Sequence, residues 1–136
     1  MKLHEVRSIE ITAPLSHVFD FIADPMNLPR WAAAFEQVSP DRARLRTPDG
    51  AIDIRLRVDA SRSQGTVDWT MTFADGSVAR AMSRVTPLDA SRVVYSFILN
   101  APPVPLEQLE GTLARQVRTL EGELRELKRV VEAEHG

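Results

Sequence analysis

The 136-residue chain has no cysteine, which excludes disulfides, thiolate metal sites and a cysteine nucleophile. No run of about 18 apolar residues occurs, so no segment reads as a membrane span. Charge of one sign is also missing. Lys and Arg total 17 against 19 Asp and Glu, a net −2, which gives no basic field for a nucleic acid. His4, His17 and His135 are far apart and none stands in a metal-ligand spacing such as HExxH, so a metal is not expected. GxSxG is absent around Ser16, Ser83 and Ser96. A glycine-rich phosphate loop and a dinucleotide fingerprint are absent too, so no cofactor is expected either. Residues 1–7 are charged and lack the apolar centre of a signal peptide. What remains is an ordinary soluble composition, 43% hydrophobic and 26% charged. It suits one domain over residues 1–136, with the cytoplasm as the expected location.

The longest pattern present lies late in the chain. Leu106, Leu109, Leu113, Val117, Leu120, Leu124, Leu127 and Val131 recur at alternating three- and four-residue steps, the spacing of one helical face. Charged residues fill the other faces. Such a helix is roughly 40 Å long at 1.5 Å per residue, more than a domain of this size needs to cover a sheet. The spacing predicts a long amphipathic helix laid against a sheet built from the preceding residues. Gly111 and Gly122 interrupt it at about 1 kcal/mol each relative to alanine, leaving room for a ligand or for close packing. Leu120, Leu124, Leu127 and Val131 extend the seam past the length one sheet would cover. Two outcomes stay open: a homodimer through this end or through exposed sheet edges, or a tail that caps its own sheet. Mixed charges argue against a membrane-binding face.

Earlier in the chain, residues 3–12 alternate around Leu3, Val6, Ile9 and Ile11, a strand signal. Pro14 suits a helix start, and Leu15, Val18, Phe19 and Ile22 give a short amphipathic helix. Asp24 and Pro25 open a second short helix toward Trp31. Residues 35–46 are weakly patterned, and Thr47-Pro48-Asp49-Gly50 is a turn. Residues 52–58, 67–73, 77–85 and 92–99 read as strands, with Asp75-Gly76 a tight-hairpin dipeptide. Ala101-Pro102-Pro103-Val104-Pro105 is a stiff connector, with Pro105 opening the long helix. This order predicts an α+β fold with an antiparallel sheet of about six strands.

The opening residues carry a family likeness. Ile9-Glu10-Ile11-Thr12-Ala13-Pro14, then Val18-Phe19-Asp20-Phe21-Ile22, then Asp24-Pro25 through Asn27-Leu28-Pro29 to Trp31, resemble the start of the START-like superfamily. More narrowly, they resemble its polyketide cyclase/dehydrase-type branch, the SRPBCC proteins. The order of elements agrees over essentially the whole chain. The resemblance implies a Bet v1-like helix-grip fold, a curved antiparallel sheet wrapped round a long C-terminal helix with a pocket between them. Members bind lipids, sterols, polyketides, quinones or plant hormones, some cyclise or dehydrate polyketides, and many have no assigned activity. The resemblance therefore implies a pocket without naming a substrate.

Within such a fold the expected pocket lining is apolar. Trp69, Met71 and Phe73 share one strand face, Tyr95, Phe97 and Leu99 another, and Leu113 and Val117 join them from the long helix. Trp31 either closes one end of the cavity or anchors the second short helix. Met82 and Arg80 depend on the Asp75-Gly76 hairpin. A two-residue loop sets Phe73 opposite Val78 and turns both to the pocket side, where Arg80 can pair with a carboxylate or phenolate. A loop one residue longer puts Ala79, Ala81 and Ser83 inside and sends Arg80 and Arg84 to solvent. The cost of burying an uncompensated guanidinium favours this second register. Catalysis needs a positioned proton donor or acceptor; Tyr95 and Arg80 are the candidates, with Asp68 turned to solvent. The leading expectation is a noncatalytic binding protein for a small hydrophobic or aromatic molecule, lipid, polyketide or quinone-like. The alternatives are a polyketide cyclase/dehydratase-type enzyme using Tyr95 and Arg80, and a protein-interaction module like the Hsp90-ATPase activators, working through its surface.

Overall fold

Strand β1 (His4–Ile11) comes first, followed by helix α1 (Leu15–Ala23) and a 3-10 helix (Pro25–Arg30). Six strands come next: β2 (Phe35–Ser39), β3 (Arg42–Thr47), β4 (Gly50–Ser61), β5 (Thr66–Thr72), β6 (Val78–Asp89) and β7 (Arg92–Asn100). Helix α2 (Leu106–His135) closes the order. The computed structural model describes residues 3–47, 49–100 and 106–135, the side chains of 106–111 excepted. The expected roles of Pro48, Gly111, the Ala101–Pro105 connector and the Leu106 and Leu109 side chains fall outside the described residues.

All seven strands form one antiparallel sheet in the order β1-β7-β6-β5-β4-β3-β2. The sequence pattern predicts about six, and the difference lies in β2 and β3. In β3 the inward residues Ala43 and Leu45 are buried, but alanine between arginines gives little apolar contrast. In β2 the register shifts between Phe35 and Gln37, and such a bulge breaks the two-residue period on which a strand reading depends.

Helix α1 buries Val18, Phe19, Phe21 and Ile22. Asp24 then caps the 3-10 helix, its Oδ1 accepting from the Met26 N–H at 3.0 Å. Asn27 Nδ2 donates back to the Phe21 carbonyl at 3.0 Å, tying the two short helices together.

Leu120, Leu124, Leu127 and Val131 of α2 are buried and belong to the same contiguous core as Ile11, Val18, Ile22 and Tyr95. The tail of the helix is thus occupied by its own sheet and α1. Two polar ties fix it to the end of β1: Lys128 Nζ donates to the Glu10 carbonyl at 2.9 Å, and the Thr12 N–H donates to Glu132 Oε2 at 2.7 Å.

The β5–β6 hairpin decides which side chains face inward. The Gly76 N–H donates to the Phe73 carbonyl at 3.0 Å and the Phe73 N–H to the Ser77 carbonyl at 2.9 Å. Phe73 therefore faces Ser77 across Ala74, Asp75 and Gly76, and Gly76 adopts φ +87°, the left-handed position that a turn of this length demands. Trp69 then stands opposite Ala81, Met71 opposite Ala79 and Val67 opposite Ser83. Arg80, Met82 and Arg84 point outward and are exposed. The longer-loop register holds, and Met82, expected in the pocket lining, lies instead on the outer face at 37% exposure.

Candidate functional site

The small residues of β6 shape the concave face. Because Ala81 and Ser83 separate β5 from β7, larger rings from the two outer strands meet above them. Trp69 stacks on Phe97 with centroids 5.9 Å apart, and Phe97 stands edge-on to Tyr95 at 6.4 Å. Trp31, delivered by the segment after the 3-10 helix, closes the cluster edge-on to both Trp69 and Tyr95, each at 6.4 Å. Ring pairs at these spacings favour one another beyond their area burial.

Among the described residues, three polar atoms inside this cluster have no hydrogen-bond partner: Trp31 Nε1, Trp69 Nε1 and the Tyr95 hydroxyl. Trp31 and Trp69 are 5% and 4% exposed and Tyr95 is 0%, so surface solvent does not reach them. Each unpaired buried donor costs about 1–3 kcal/mol, and native proteins seldom leave one. Ser83 does not resolve the problem. Its hydroxyl donates to the Val67 carbonyl at 2.6 Å; it lies near enough to ease ionisation of the phenol slightly, yet no hydrogen bond joins the two. Burial dominates and drives the Tyr95 phenol far above its ordinary value, with Asp68 adding to the rise. Tyr95 is therefore a fixed O–H donor at physiological pH and not a base. Indole nitrogens only donate, so the cluster presents donors to a ligand and calls for acceptor oxygens in return.

A cleft of about 380 Å3 opens beside the cluster between the segment around Trp31 and helix α2, and Trp31 is one of its walls. Gly122 lines it from α2; a Cβ there would meet only the tip of Arg125, at 3.8 Å. Glu123 lines it as well, its Oε2 accepting from the Ala33 N–H at 2.6 Å. Burial pushes the Glu123 carboxyl up to about 7, against the opposing pull of that N–H. The flanking charges are engaged elsewhere: Arg30 with Glu134, and Glu126 with Arg129.

The remaining residues expected in the lining are distributed along the concave face. Met71, Phe73 and Leu99 are half-buried and packed against the core. Leu113 and Val117 are buried, though among the described residues the contiguous core takes in α2 only from Leu120 onward. Arg80 is on the opposite side of the sheet from Tyr95, so the two do not form a catalytic pair. Sequence reasoning missed Glu123, and it also missed Glu5 and Arg7 on the inward face of β1. Arg7 contacts Glu5 at 3.1 Å and Glu121 of α2 at 3.4 Å. The signal was available in the strand period: with Ile9 and Ile11 inward, Arg7 and Glu5 share their face. Among the described residues no cluster fit for a metal occurs, and no helix is long and apolar enough to cross a membrane.

A curved antiparallel sheet gripping a long terminal helix, with an aromatic, donor-bearing concave face, defines a helix-grip α+β protein. The model of the family described as polyketide cyclase / dehydrase and lipid transport matches residues 3–132, and the chain belongs to that family. Among solved structures it is similar to the Zhui aromatase/cyclase of a Streptomyces species, with a TM-score of 0.71 and 14% identity over 95% of this chain and 93% of that one. A START superfamily protein from Mycobacterium smegmatis gives 0.70 and 15% over 97% and 99%. The di-domain ARO/CYC BexL gives 0.72 and 17% over 97% of this chain, which spans 47% of that longer one. At these identities the likeness is one of fold. No curated protein sequence matches the chain.

Proposed function

We propose that the protein binds a small, flat, largely apolar molecule bearing acceptor oxygens, of polyketide or quinone character, against Trp31, Trp69 and Tyr95. One observation carries this reading: three buried donors in one ring cluster have no acceptor among the described residues. A carbonyl or quinone oxygen pairs with such donors, while the rings hold the apolar body. The cleft that Trp31 walls is the approach to the cluster on this reading. Membership of the family and the likeness to an aromatase/cyclase fold support a ligand of this kind.

Native mass spectrometry of freshly purified protein, followed by extraction, tests the proposal. A co-purifying ketone, quinone or polyphenol is the expected finding, and its quenching of tryptophan fluorescence should weaken about tenfold in Tyr95→Phe, the loss of one hydrogen bond in a dry site. A ligand without acceptor oxygens, or one indifferent to Tyr95→Phe, overturns it.

Glu123 favours a second reading, an enzyme of the cyclase/dehydratase type. A carboxyl poised near neutrality in a cleft suits proton transfer, with Tyr95 polarising a carbonyl. Turnover of model polyketides that Glu123→Gln abolishes at neutral pH would select this reading, and turnover untouched by that change would remove it.

A further inference from the structure

The outer face of β3, β4 and β6 is rich in arginine although the chain carries a net −2. Asp53 answers Arg44 at 3.1 Å, Asp59 answers Arg57 at 3.2 Å, and Arg84 donates to the Gln64 carbonyl at 3.2 Å. Arg42 and Arg55 differ from these. The register makes them direct cross-strand partners, an arrangement in which like charges repel. Among the described residues neither guanidinium engages a carboxylate.

The sheet opens beside this pair. β5 ends at Thr72, the partner of Arg55, so residues 50–54 of β4 continue with β3 on one side and no described strand on the other. A notch of about 250 Å3 results, lined by Arg42, Arg55 and Thr72 together with Ile54 and Phe73. Asp53 also reaches it, but its carboxylate is held by Arg44.

We propose that this notch binds the oxyanion head of a small amphiphile, a phosphate monoester or a carboxylate, with the first carbons of its apolar stem against Phe73. Two guanidinium forks match either head, and an anion between them turns their mutual repulsion into shared attraction. The Thr72 hydroxyl is a third donor at the same place. Volume limits the guest: the notch is smaller than the roughly 300 Å3 at which sites for drug-sized molecules begin. It takes a head and a short stem, not a whole lipid. No residue lining the notch belongs to the Trp31, Trp69 and Tyr95 cluster or to the cleft beside it, so the proposal is independent of the function proposed for that cluster.

Titration of isotope-labelled protein with hexyl phosphate, hexanoate, hexanol and inorganic phosphate tests it, read from the Arg42 and Arg55 side-chain and Thr72 backbone NMR signals. One or both hexyl anions should shift these three signals to saturation, the tighter one identifying the head. Arg42→Gln and Arg55→Gln, both at exposed positions, should each weaken that binding roughly tenfold. Tyr95→Phe should leave it unchanged. Silence of the three signals with both anions overturns the site, as does affinity that survives both arginine substitutions or is matched by hexanol. Inorganic phosphate binding as tightly as hexyl phosphate overturns the part assigned to Phe73.

Discussion

Glu123 makes the stability of this protein fall across a pH range where most carboxylates are silent. Its carboxyl is carried from 4.5 to about 7, chiefly by burial, so the folded state holds a proton that the unfolded chain releases. A carboxyl raised in the fold is most favourable when protonated. Its contribution is therefore complete below about 4.5, declines as pH rises to about 7, and is constant above. At about 1.4 kcal/mol for each tenfold change in proton affinity the ceiling is about 3.4 kcal/mol. Glu123 lines an open cleft and is only partly shielded, so solvent screening reduces this to about 1–2 kcal/mol. Glutamine keeps an oxygen for the Ala33 N–H and never ionises. Urea unfolding of Glu123→Gln and the natural chain should agree near pH 5 and diverge by about 1–2 kcal/mol in favour of glutamine near pH 8. Asp75, Asp89 and Glu126, held below their ordinary values by Ser77, by Ser91 and by Arg129 respectively, stay ionised throughout this window and cancel in the difference. A difference that is flat with pH, or that favours glutamate at the alkaline end, refutes the argument and means that the carboxylate is well solvated or well paired.

Three further outcomes follow from packing. Gly65 has φ +74° and a Cβ there would lie 2.4 Å from the Val85 carbonyl oxygen, so Gly65→Ala should cost about 3 kcal/mol or more, visible as a lowered urea midpoint. Leu127 is fully buried where α2 meets the core, and Leu127→Ala should cost about 2–5 kcal/mol by the same measurement. Tyr95→Phe removes a buried hydroxyl that has no partner among the described residues, so the ligand-free protein should hold or gain stability by up to about 1 kcal/mol in calorimetry; a loss of more than that would mean that the hydroxyl is bonded.

The legible parts of this fold are those where one physical period dominates. The seam through Leu120, Leu124, Leu127 and Val131 specifies α2 because each position meets the core, and the alternation through Val67, Trp69 and Met71 specifies β5. The β5–β6 register was legible in outline, since the cost of burying Arg80 pointed to the longer loop, and the inward place expected for Met82 conflicted with that register because Met82 shares the face of Arg80. β2 and β3 were obscured by a bulge and by small inward residues. The site was half legible. Trp69, Tyr95 and Phe97 announce themselves by alternation, and Trp31 by its place after the 3-10 helix. Glu123 does not, because its environment is made by the Ala33 segment, ninety residues away in sequence. Contacts of that kind are set by how elements dock, which no local pattern records.

The ties between β1 and the tail of α2 also bear on the order in which the chain can fold. The Lys128–Glu10 and Thr12–Glu132 hydrogen bonds join residues 118 and 120 positions apart, and Leu127 and Val131 close the core between them. During synthesis the sheet is made first, and the buried face of β1 and α1 stays uncovered until the tail of α2 has left the ribosome. Folding is then completed late and over long sequence separation, the slow regime for chains dominated by distant contacts. In that interval Ile11, Val18 and Ile22 present an apolar surface of the kind that recruits chaperones or aggregates.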